Sequence, residues 1–337
     1  MSDLSDPSDK NPHNTMETTT LGKTNLQVSR LSFGASALGG VFRDIDESDG
    51  IRAVHAALDA GINYFDVAPA YGGTVAETVL GKALKGIARD RYILSTKAGK
   101  YTAPGAYGAD ELDYSEARIR KGLDESMARL GVEYIDIVHL HDFEYQRRSK
   151  TDWAFNEGFP TLVKLKEEGR IGGVSAGIYP LDLWQRVIAE APVDAILTHN
   201  HYCINDTRGQ ELIGPCAEKN IGTINASPFA SGALTGGQMA DWHPANADER
   251  ALFAEAAAFC ESQGTSIAKL AFQFACQGTP FHTTMFSTAR SSSLARNLEW
   301  YGEPYDAALL AKVKKILAPV MDQQWDYDAG VEKLNKP

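Results

Sequence analysis

Residues 62–84 have the sequence INYFDVAPAYGGTVAETVLGKAL and contain the pattern from which the fold can be predicted. The apolar run at 62–66 is typical of a buried strand, and a loop with proline and paired glycines follows it. Thr74 and Glu77 have the spacing of a capping box, which predicts a helix that continues through Leu84. This stretch therefore predicts one strand–loop–helix unit.

The same unit recurs along the chain. Eight short apolar runs, each followed by a loop and an amphipathic stretch, are predicted as strands: 31–34, 62–66, 92–97, 135–141, 171–175, 195–197, 221–225 and 281–286. Consecutive parallel strands need crossover connections, which helices supply. Eight such units predict an α/β fold of the (β/α)₈ TIM-barrel type. An open doubly wound sheet is the alternative, but its glycine-rich turn after the first strand is missing from the sequence.

Length and composition agree with one barrel and short flanking segments. The chain has 337 residues, of which 43% are apolar and 23% charged, as in ordinary globular proteins. We expect residues 1–16 to be a disordered tail because they are polar throughout. Residues 17–320 are expected to form a single barrel domain, and residues 321–337 a C-terminal tail.

Charge and cysteine content narrow the partners and the compartment. The net charge of −11 provides no general attraction to nucleic acid or to an anionic membrane. No apolar stretch reaches the roughly 18 residues of a membrane span, and residues 1–16 lack the apolar region of a signal peptide. Cysteines occur only at Cys203, Cys216, Cys260 and Cys276, and their wide spacing predicts free buried thiols. We expect a cytoplasmic protein, and the sequence leaves its oligomeric state open.

Four residues near the ends of consecutive strands carry groups suited to proton transfer. In a TIM barrel the active site lies at the carboxyl ends of the strands, which here hold Asp66, Lys97 and His141, with Tyr71 in the loop after Asp66. A neighbouring ammonium favours a phenolate and lowers the tyrosine pKa, and a carboxylate holds the ammonium in place. An imidazole can orient a hydroxyl or carbonyl oxygen. The set predicts interconversion of an alcohol and a carbonyl, with a cofactor as hydride carrier.

Each of these residues also has a structural interpretation. A strand-end aspartate or lysine alone is commonly a local ion pair, and Tyr71 could pack in its loop. The pairs His139/His141 and His199/His201 each place two imidazoles on one side of a strand, as a metal-dependent barrel hydrolase could use. Hydrolases of that type usually carry such a pair on the first strand, which has none here. We therefore expect no metal site, and His139 can be a core histidine.

Several motifs, in order and spacing, resemble the aldo-keto reductases. They are GA at 34–35, FDVAPAYG at 65–72, STK at 95–97, YIDIVHLH at 134–141 and SPFASGAL at 227–234. The resemblance covers residues 20 to 320. It implies a TIM barrel, a nicotinamide cofactor and a catalytic tetrad at Asp66, Tyr71, Lys97 and His141. It also implies that residues 21–28 belong to an N-terminal β-hairpin that plugs the bottom of the barrel.

The resemblance further implies a cofactor site built without a G-x-G-x-x-G turn or a P-loop. Residues that match the family's cofactor contacts lie after the first, fifth, seventh and eighth strands: Gly34, Ala35, Ser175, Ser227, Phe229, Ser231, Gly232, Leu234, Ser287, Thr288, Ala289, Ser293 and Asn297. Many members have asparagine at position 176 and an aromatic residue at 226, where this chain has alanine. Ser293 replaces an arginine that NADP users often carry, which favours NAD. Arg290 and Arg296 lie nearby and keep NADP open.

Other motifs are similar to the branch of the family that oxidises L-galactose, L-fucose and similar aldoses. They are AYGGT at 70–74, KAGKY at 97–101, HLHD at 139–142, HYCIND at 201–206, ASP at 226–228 and DWHPA at 241–245. The resemblance implies an aldose 1-dehydrogenase that forms an aldonolactone with NAD. Specificity among sugars rests on hydrogen bonds to individual hydroxyls, for which the candidates are Phe42, Tyr101, Asp142 and His199. The alternatives are an NADPH-dependent aldehyde reductase, a non-catalytic cofactor-sensing subunit and a metal-dependent hydrolase.

Overall fold

A computed structural model describes residues 16–41, 44–102 and 110–328 of the chain. Phe42, all but the last residue of the predicted N-terminal tail, and residues 329–337 of the predicted C-terminal tail lie outside these ranges. Among the described residues, no helix is long and apolar enough to cross a membrane.

Eight parallel strands of the described chain form a closed barrel. The strands in chain order are β1 (Thr18–Thr20), β2 (Gln27–Ser29), β3 (Leu31–Gly34), β4 (Tyr64–Asp66), β5 (Ile93–Ala98), β6 (Lys100–Thr102), β7 (Asp110–Leu112), β8 (Ile135–His141), β9 (Ile171–Ile178), β10 (Ala195–His199), β11 (Gly222–Ala226) and β12 (Thr283–Ser287). The barrel order is β3-β4-β5-β8-β9-β10-β11-β12, and β12 pairs with β3. Strands adjacent in the barrel are thus consecutive in the chain, apart from the hairpins β1–β2 and β6–β7.

Helices connect the barrel strands and cover their outer face. They are α1 (Glu47–Asp59), α2 (Val75–Leu84), α3 (Glu116–Leu130), α4 (Thr151–Trp153), α5 (Phe159–Glu167), α6 (Leu181–Glu190), α7 (Ile213–Glu218), α8 (Ala247–Ser262), α9 (Ile267–Cys276), α10 (Ser291–Tyr301) and α11 (Ala307–Ile316). A π-helical turn at Ala154–Gly158 joins α4 to α5. The main hydrophobic core lies between these helices and the strands.

The predicted (β/α)₈ barrel is confirmed, and the predicted strands correspond one to one with the eight barrel strands. Leu31–Gly34 and Ile135–His141 have the predicted bounds. The strand predicted at 171–175 continues to Ile178, because 176–178 stays apolar and buried after the polar position Ser175.

The predicted capping box before α2 is wrong. Thr74 has a left-handed backbone with φ of 72°, and its side chain makes no capping hydrogen bond. Glu77 is fully buried and accepts hydrogen bonds from Thr96 Oγ1 at 2.7 Å and from Arg129 Nε at 2.7 Å. The Glu77 side chain therefore binds residues on β5 and α3, whereas the local motif predicts that it binds the backbone at the start of α2.

The hairpin of β1 and β2 closes the bottom of the barrel, as the sequence resemblance implies. Leu21 is fully buried and packs with side chains of the barrel strands such as Ile137 and Ile224. Gly22 has φ of 52°, and a Cβ there would lie 2.2 Å from the backbone nitrogen of Gly222. Because Gly222 is the first residue of β11, the hairpin sits at the amino ends of the strands, opposite the end where Asp66 lies.

The last described residues pack on the barrel instead of leaving it. The backbone nitrogen of Trp325 donates to Tyr179 Oη at 3.0 Å, and Trp325 and Tyr327 are both buried. Asp328 accepts hydrogen bonds from the backbone nitrogens of Gln146 and Arg147, at 2.9 Å each. Residues 321–328 thus lie against the loops after β8 and β9, at the carboxyl end of the strands.

Candidate active site

A cavity of about 800 Å³ lies at the carboxyl ends of the barrel strands. Asp66, Tyr71, Lys97 and His141 all line it, although they come from three strands and one loop. The cavity continues past the 227–232 loop to the start of α10. Its volume is in the range expected for small-molecule and cofactor sites.

Asp66 and Lys97 form a buried ion pair at the floor of the cavity. Lys97 Nζ donates to Asp66 Oδ2 at 2.5 Å and to the backbone oxygen of Val67 at 3.0 Å. Burial alone would raise the carboxyl pKa, but the Lys97 ammonium outweighs it and holds the pKa of Asp66 well below its ordinary value. Burial would likewise lower the pKa of Lys97, and the Asp66 carboxylate reverses that shift. Both groups are therefore charged at neutral pH.

The second oxygen of Asp66 is held from inside the barrel. Ser95 Oγ donates to Asp66 Oδ1 at 2.6 Å, and His139 Nε2 lies 3.3 Å from the same oxygen. The other nitrogen of His139 is 2.8 Å from Ser175 Oγ. Burial lowers the pKa of His139, so the ring is neutral. His139 is therefore a core histidine that fixes Asp66.

Tyr71 is positioned by a close backbone contact between two loops. Its ring centroid is 5.1 Å from Lys97 Nζ and 6.2 Å from the His141 ring centroid, with the two rings perpendicular. The next residue, Gly72, has φ of 62°, and a Cβ there would lie 1.9 Å from the backbone oxygen of Gly39. Glycine is required at this point, so the Tyr71 loop and the Gly39 turn can pack backbone against backbone.

Lys97 acts on the pKa of Tyr71 in the expected direction, but the expected net lowering of that pKa is wrong. Burial raises the pKa of Tyr71 above 10, and the nearby Lys97 opposes that shift without cancelling it. The phenol is therefore protonated at neutral pH in the protein alone. This state suits proton donation, and proton abstraction requires a higher pH or a further positive charge in the cavity.

His141 is a neutral imidazole paired with Asp142. Burial lowers the pKa of His141 to about 3, so its ring carries a single proton. His141 Nε2 is 3.2 Å from Asp142 Oδ1, and Nδ1 is buried with no hydrogen-bond partner among the described residues. A bare Nε2 would face the carboxylate as a second acceptor, so we infer that Nε2 carries the proton.

Two of the four expected substrate contacts line the cavity. Asp142 and His199 do so, and burial lowers the pKa of His199 to about 4. Tyr101 lies elsewhere: it is buried, its ring stacks under the Arg118 guanidinium at 3.6 Å, and its hydroxyl is 3.5 Å from the Arg118 backbone oxygen. Phe42 is outside the described residues.

Most of the expected cofactor residues line the cavity in two groups. These residues are Gly34, Ser227, Phe229, Ser231, Gly232, Ser287, Thr288, Ala289, Ser293 and Asn297. Ala35, Ser175 and Leu234 do not belong to the lining. Ser175 Oγ is directed inside the barrel, to Ala195 O at 2.8 Å and to His139, and Leu234 is fully buried in the hydrophobic cluster around α8 and α9.

The cavity residues fit a nicotinamide dinucleotide. Ser227, Ala230 and Ser231 have φ of 62°, 49° and 52°, and such strained backbone is typical of ligand-binding loops. Hydroxyl groups of Ser287 and Ser293 line the far end, at the start of α10.

Sequence reasoning missed three cavity residues that carry polar contacts. Lys100 Nζ donates to Asp142 Oδ2 at 2.7 Å. Tyr327, which lies in the segment expected to be a C-terminal tail, accepts a hydrogen bond at Oη from Asn200 Nδ2 at 2.6 Å. Asp49 Oδ1 accepts from Ser291 Oγ at 2.5 Å at the start of α10. Of these three residues, only Lys100 lies in a motif that the sequence analysis singles out, namely KAGKY at 97–101.

The two H-x-H pairs do not converge on one point. The nitrogens of His139 face Asp66 and Ser175, and those of His201 face Asp206 Oδ2 at 3.0 Å and Tyr179 O at 2.7 Å. The described residues contain no group of three His, Cys, Asp or Glu side chains arranged to hold a metal ion. One histidine of each pair, His139 and His201, therefore has structural partners on both ring nitrogens.

Comparisons with known proteins show the family of the chain. A family model described as the Aldo/keto reductase family matches residues 30–318. L-galactose dehydrogenase from Arabidopsis thaliana is 37% identical and covers 92% of this chain and 97% of its own length. D-threo-aldose 1-dehydrogenase from a Pseudomonas species is 30% identical, over 86% of this chain and 94% of its own. A solved aldo-keto reductase from Bacillus halodurans in its holo form shares the fold, with a TM-score of 0.73, 24% identity and coverage of 93% and 99%.

Proposed function

Because the chain belongs to the aldo/keto reductase family of NAD(P)-dependent oxidoreductases, we propose that it oxidises an aldose at C1 to the aldonolactone. The substrate we propose is L-galactose, L-fucose or a similar sugar, with NAD as hydride acceptor. One observation carries the proposal: a buried Asp66–Lys97 pair lies beside Tyr71 and His141 at one end of the cavity. The two sugar dehydrogenases among the relatives support the choice of substrate.

The residues of the chain account for the proton in this reaction. Tyr71 accepts the proton of the anomeric hydroxyl, and Lys97 stabilises the phenolate that does so. Asp66 keeps Lys97 charged and in place. A bound nicotinamide dinucleotide supplies the hydride acceptor and, when oxidised, a positive charge that favours the phenolate. As the C1 hydrogen leaves with its electron pair, the C1–O bond becomes the lactone carbonyl. His141 aligns its oxygen through the Nε2–H group, which it shares with Asp142 Oδ1 at 3.2 Å.

Acidic residues at the far end of the cavity support NAD over NADP. Asp44, Asp46 and Asp49 line this end, and Asp49 Oδ1 accepts from the backbone nitrogen and the hydroxyl of Ser291. The hydrogen bond from Ser291 lowers the pKa of Asp49, so the carboxylate is ionised. A carboxylate thus occupies the start of α10, where a helix would otherwise attract an anion. A ribose 2′-phosphate placed there would meet like charge.

An NADPH-dependent aldehyde reductase is the second candidate. Arg290 and Arg296 also line this end of the cavity and could contact a phosphate. The protonated Tyr71 phenol suits reduction at neutral pH, since reduction needs a proton donor. These two observations favour the alternative, and the three aspartates oppose it.

A panel of sugars and cofactors separates the two candidates. The purified protein is given L-galactose, L-fucose and their enantiomers with NAD or NADP at alkaline pH, and reduced cofactor is followed by its absorbance. The proposal expects rapid NADH formation with at least one L-sugar and slow NADPH formation. No reduced cofactor with any aldose, together with NADPH-dependent reduction of small aldehydes, would replace it by the alternative.

We further propose that the protein works in a reducing compartment such as the cytoplasm. Apart from the cofactor, a neutral sugar is the only molecule that the proposed site has to bind. The four cysteines support the compartment, since all are free and buried. The substrate end of the cavity supports the partner, because Lys97 is paired there with Asp66 and Lys100 with Asp142.

A further inference from the structure

We propose that Asp142 is a specificity-determining residue that accepts a hydrogen bond from the hydroxyl next to the reacting carbon. It would thereby select polyhydroxylated substrates over simple aldehydes. This inference rests on the proposed function and specifies its substrate class. It concerns a residue directly after the catalytic histidine, at the carboxyl end of β8.

The backbone at Asp142 is held in an unusual conformation that directs the side chain into the cavity. Its φ is 54°, in the left-handed region, which aspartate and asparagine tolerate better than most residues. The Asp142 backbone nitrogen donates to Gly177 O on β9 at 3.1 Å, which anchors this turn. The side chain lines the cavity and is about nine-tenths buried.

Lys100 orients the Asp142 carboxylate and keeps it ionised. Lys100 Nζ donates to Asp142 Oδ2 at 2.7 Å and lies 4.4 Å from the centre of the Tyr145 ring. Burial would raise the pKa of Asp142, but His141 and Lys100 outweigh it and lower that pKa. With Oδ2 held by Lys100, Oδ1 is the oxygen that lies beside His141.

Asp142 lies directly beside the histidine that would hold the reacting oxygen. Asp142 Oδ1 is 3.2 Å from His141 Nε2. A sugar whose reacting oxygen lies against His141 therefore brings the oxygen on its next carbon within reach of Asp142. An ionised carboxylate only accepts hydrogen bonds. Each carboxylate oxygen can accept two hydrogen bonds, so Oδ1 can accept one from a sugar hydroxyl in addition to its contact with His141. A hydrogen or an alkyl group at that carbon leaves this additional site unused.

The expected discrimination follows from the strength of a hydrogen bond to a charged group. Losing such a bond costs about 10- to 100-fold in an equilibrium or rate constant. Sites built to bind a substrate hydroxyl reject analogues that lack it, because buried polar groups then remain unpaired. We therefore expect L-fucose to exceed 2-deoxy-L-fucose by about 10- to 100-fold in kcat/KM.

The test is Asp142→Asn, assayed with both sugars and with a small aldehyde. Asparagine tolerates the left-handed backbone, so folding should be retained. The amide oxygen will face Lys100, which only donates, and the amide nitrogen then presents a donor where the carboxylate presented an acceptor. The preference for L-fucose over 2-deoxy-L-fucose should fall to about twofold or less. Butyraldehyde has no hydroxyl at the corresponding carbon, so its reduction with NADH serves as the reference for any general loss of rate.

A matched control replaces an aspartate outside the site. Asp182 lies on the exposed surface of α6, where its Oδ2 is 2.7 Å from Arg148 Nη1. Asp182→Asn weakens this surface ion pair and should leave the sugar preference unchanged. If Asp142→Asn lowers the rates for L-fucose, 2-deoxy-L-fucose and butyraldehyde equally, Asp142 acts only by positioning His141 and the proposal is wrong. An unchanged preference also overturns it.

Binding measurements separate this inference from the proposed function. If the wild-type protein oxidises no aldose of the panel with NAD, the proposed function fails on that result alone. Calorimetry on the protein with NAD then compares the dissociation constants of the two sugars in the wild-type protein and in Asp142→Asn. A preference of tenfold or more that the variant loses supports the Asp142 contact, and equal affinities for both sugars refute it.

Discussion

Replacing Lys97 with methionine should raise the pKa of Tyr71 and displace the pH profile of sugar oxidation toward alkaline pH. Methionine keeps the length of the side chain and removes the charge. Lys97 Nζ is 5.1 Å from the centre of the Tyr71 ring, and the lysine is buried while the tyrosine is half-buried at the cavity floor. The phenolate would lose its positive neighbour and keep the negative charge of Asp66 nearby.

The size of the effect follows from this distance. At 5.1 Å and an effective dielectric constant of about 20, two unit charges interact by about 3 kcal/mol. That energy corresponds to about two pKa units. Because burial already raises the pKa of Tyr71 above 10, oxidation by the wild-type protein should accelerate with pH across the neutral and alkaline range. Lys97→Met should be about 100-fold slower throughout that range.

The assay is kcat/KM for NAD-linked oxidation of L-fucose as a function of pH, with NAD affinity and unfolding measured in parallel. The single variant leaves Asp66 buried without its cation, which should cost about 3–5 kcal/mol of unfolding free energy. The double variant Asp66→Asn/Lys97→Met removes both charges and should recover stability but not activity. A pH profile of unchanged shape and rate in Lys97→Met would refute the role given to the ammonium.

Three further variants test the remaining assignments. Tyr71→Phe should lower kcat by about 10²- to 10⁴-fold through loss of the proton acceptor, while the NAD dissociation constant changes less than twofold; retained turnover would contradict the role. Asp49→Asn should raise kcat/KM with NADP relative to NAD by about two- to fivefold, since a like charge at the start of α10 is removed; an unchanged ratio in steady-state assays would count against the aspartate. His139→Leu should lower the unfolding free energy by about 1–3 kcal/mol in denaturant titrations, because Asp66 and Ser175 each lose a buried partner; wild-type stability would mean that these contacts are weak.

The barrel was predictable because its signal repeats. Eight apolar runs separated by helical stretches leave few topologies, and an error of two or three residues at one strand does not alter the count. The error at Thr74 shows where local patterns fail. Its spacing to Glu77 was that of a capping box, but the glutamate is bound by Thr96 and Arg129, which are 19 and 52 residues away in the chain. Local sequence contains no information about such partners.

The same distinction applies to the site. Asp66, Lys97 and His141 were found because each lies at a strand end, a position that the fold directs to one place. Tyr101 also lies in a motif near a strand end, but it is not in the cavity lining. It comes two residues after Gly99, whose φ is 99°, and its ring packs against Arg118 on α3. Tyr327 could not be found, since its partner Asn200 is 127 residues away and nothing in the terminal segment resembles a binding motif. Recognition of strand-end residues is therefore reliable only where the loop beyond the strand is short.

The arrangement of charge is the reason why we propose an anionic cofactor together with an uncharged substrate for this acidic chain. In the cofactor loop, hydroxyls and strained backbone at Ser227 and Ser231 line the cavity, so binding need not depend on a cluster of lysines. At the substrate end, Lys97 is matched by Asp66, and Lys100 by Asp142. The histidines there are neutral because burial lowers their pKa values to about 3 and about 4. A sugar acid or sugar phosphate would bring a charge with no free partner of opposite sign among these groups, whereas the hydroxyls of a neutral aldose match the acceptors and donors that the paired charges present.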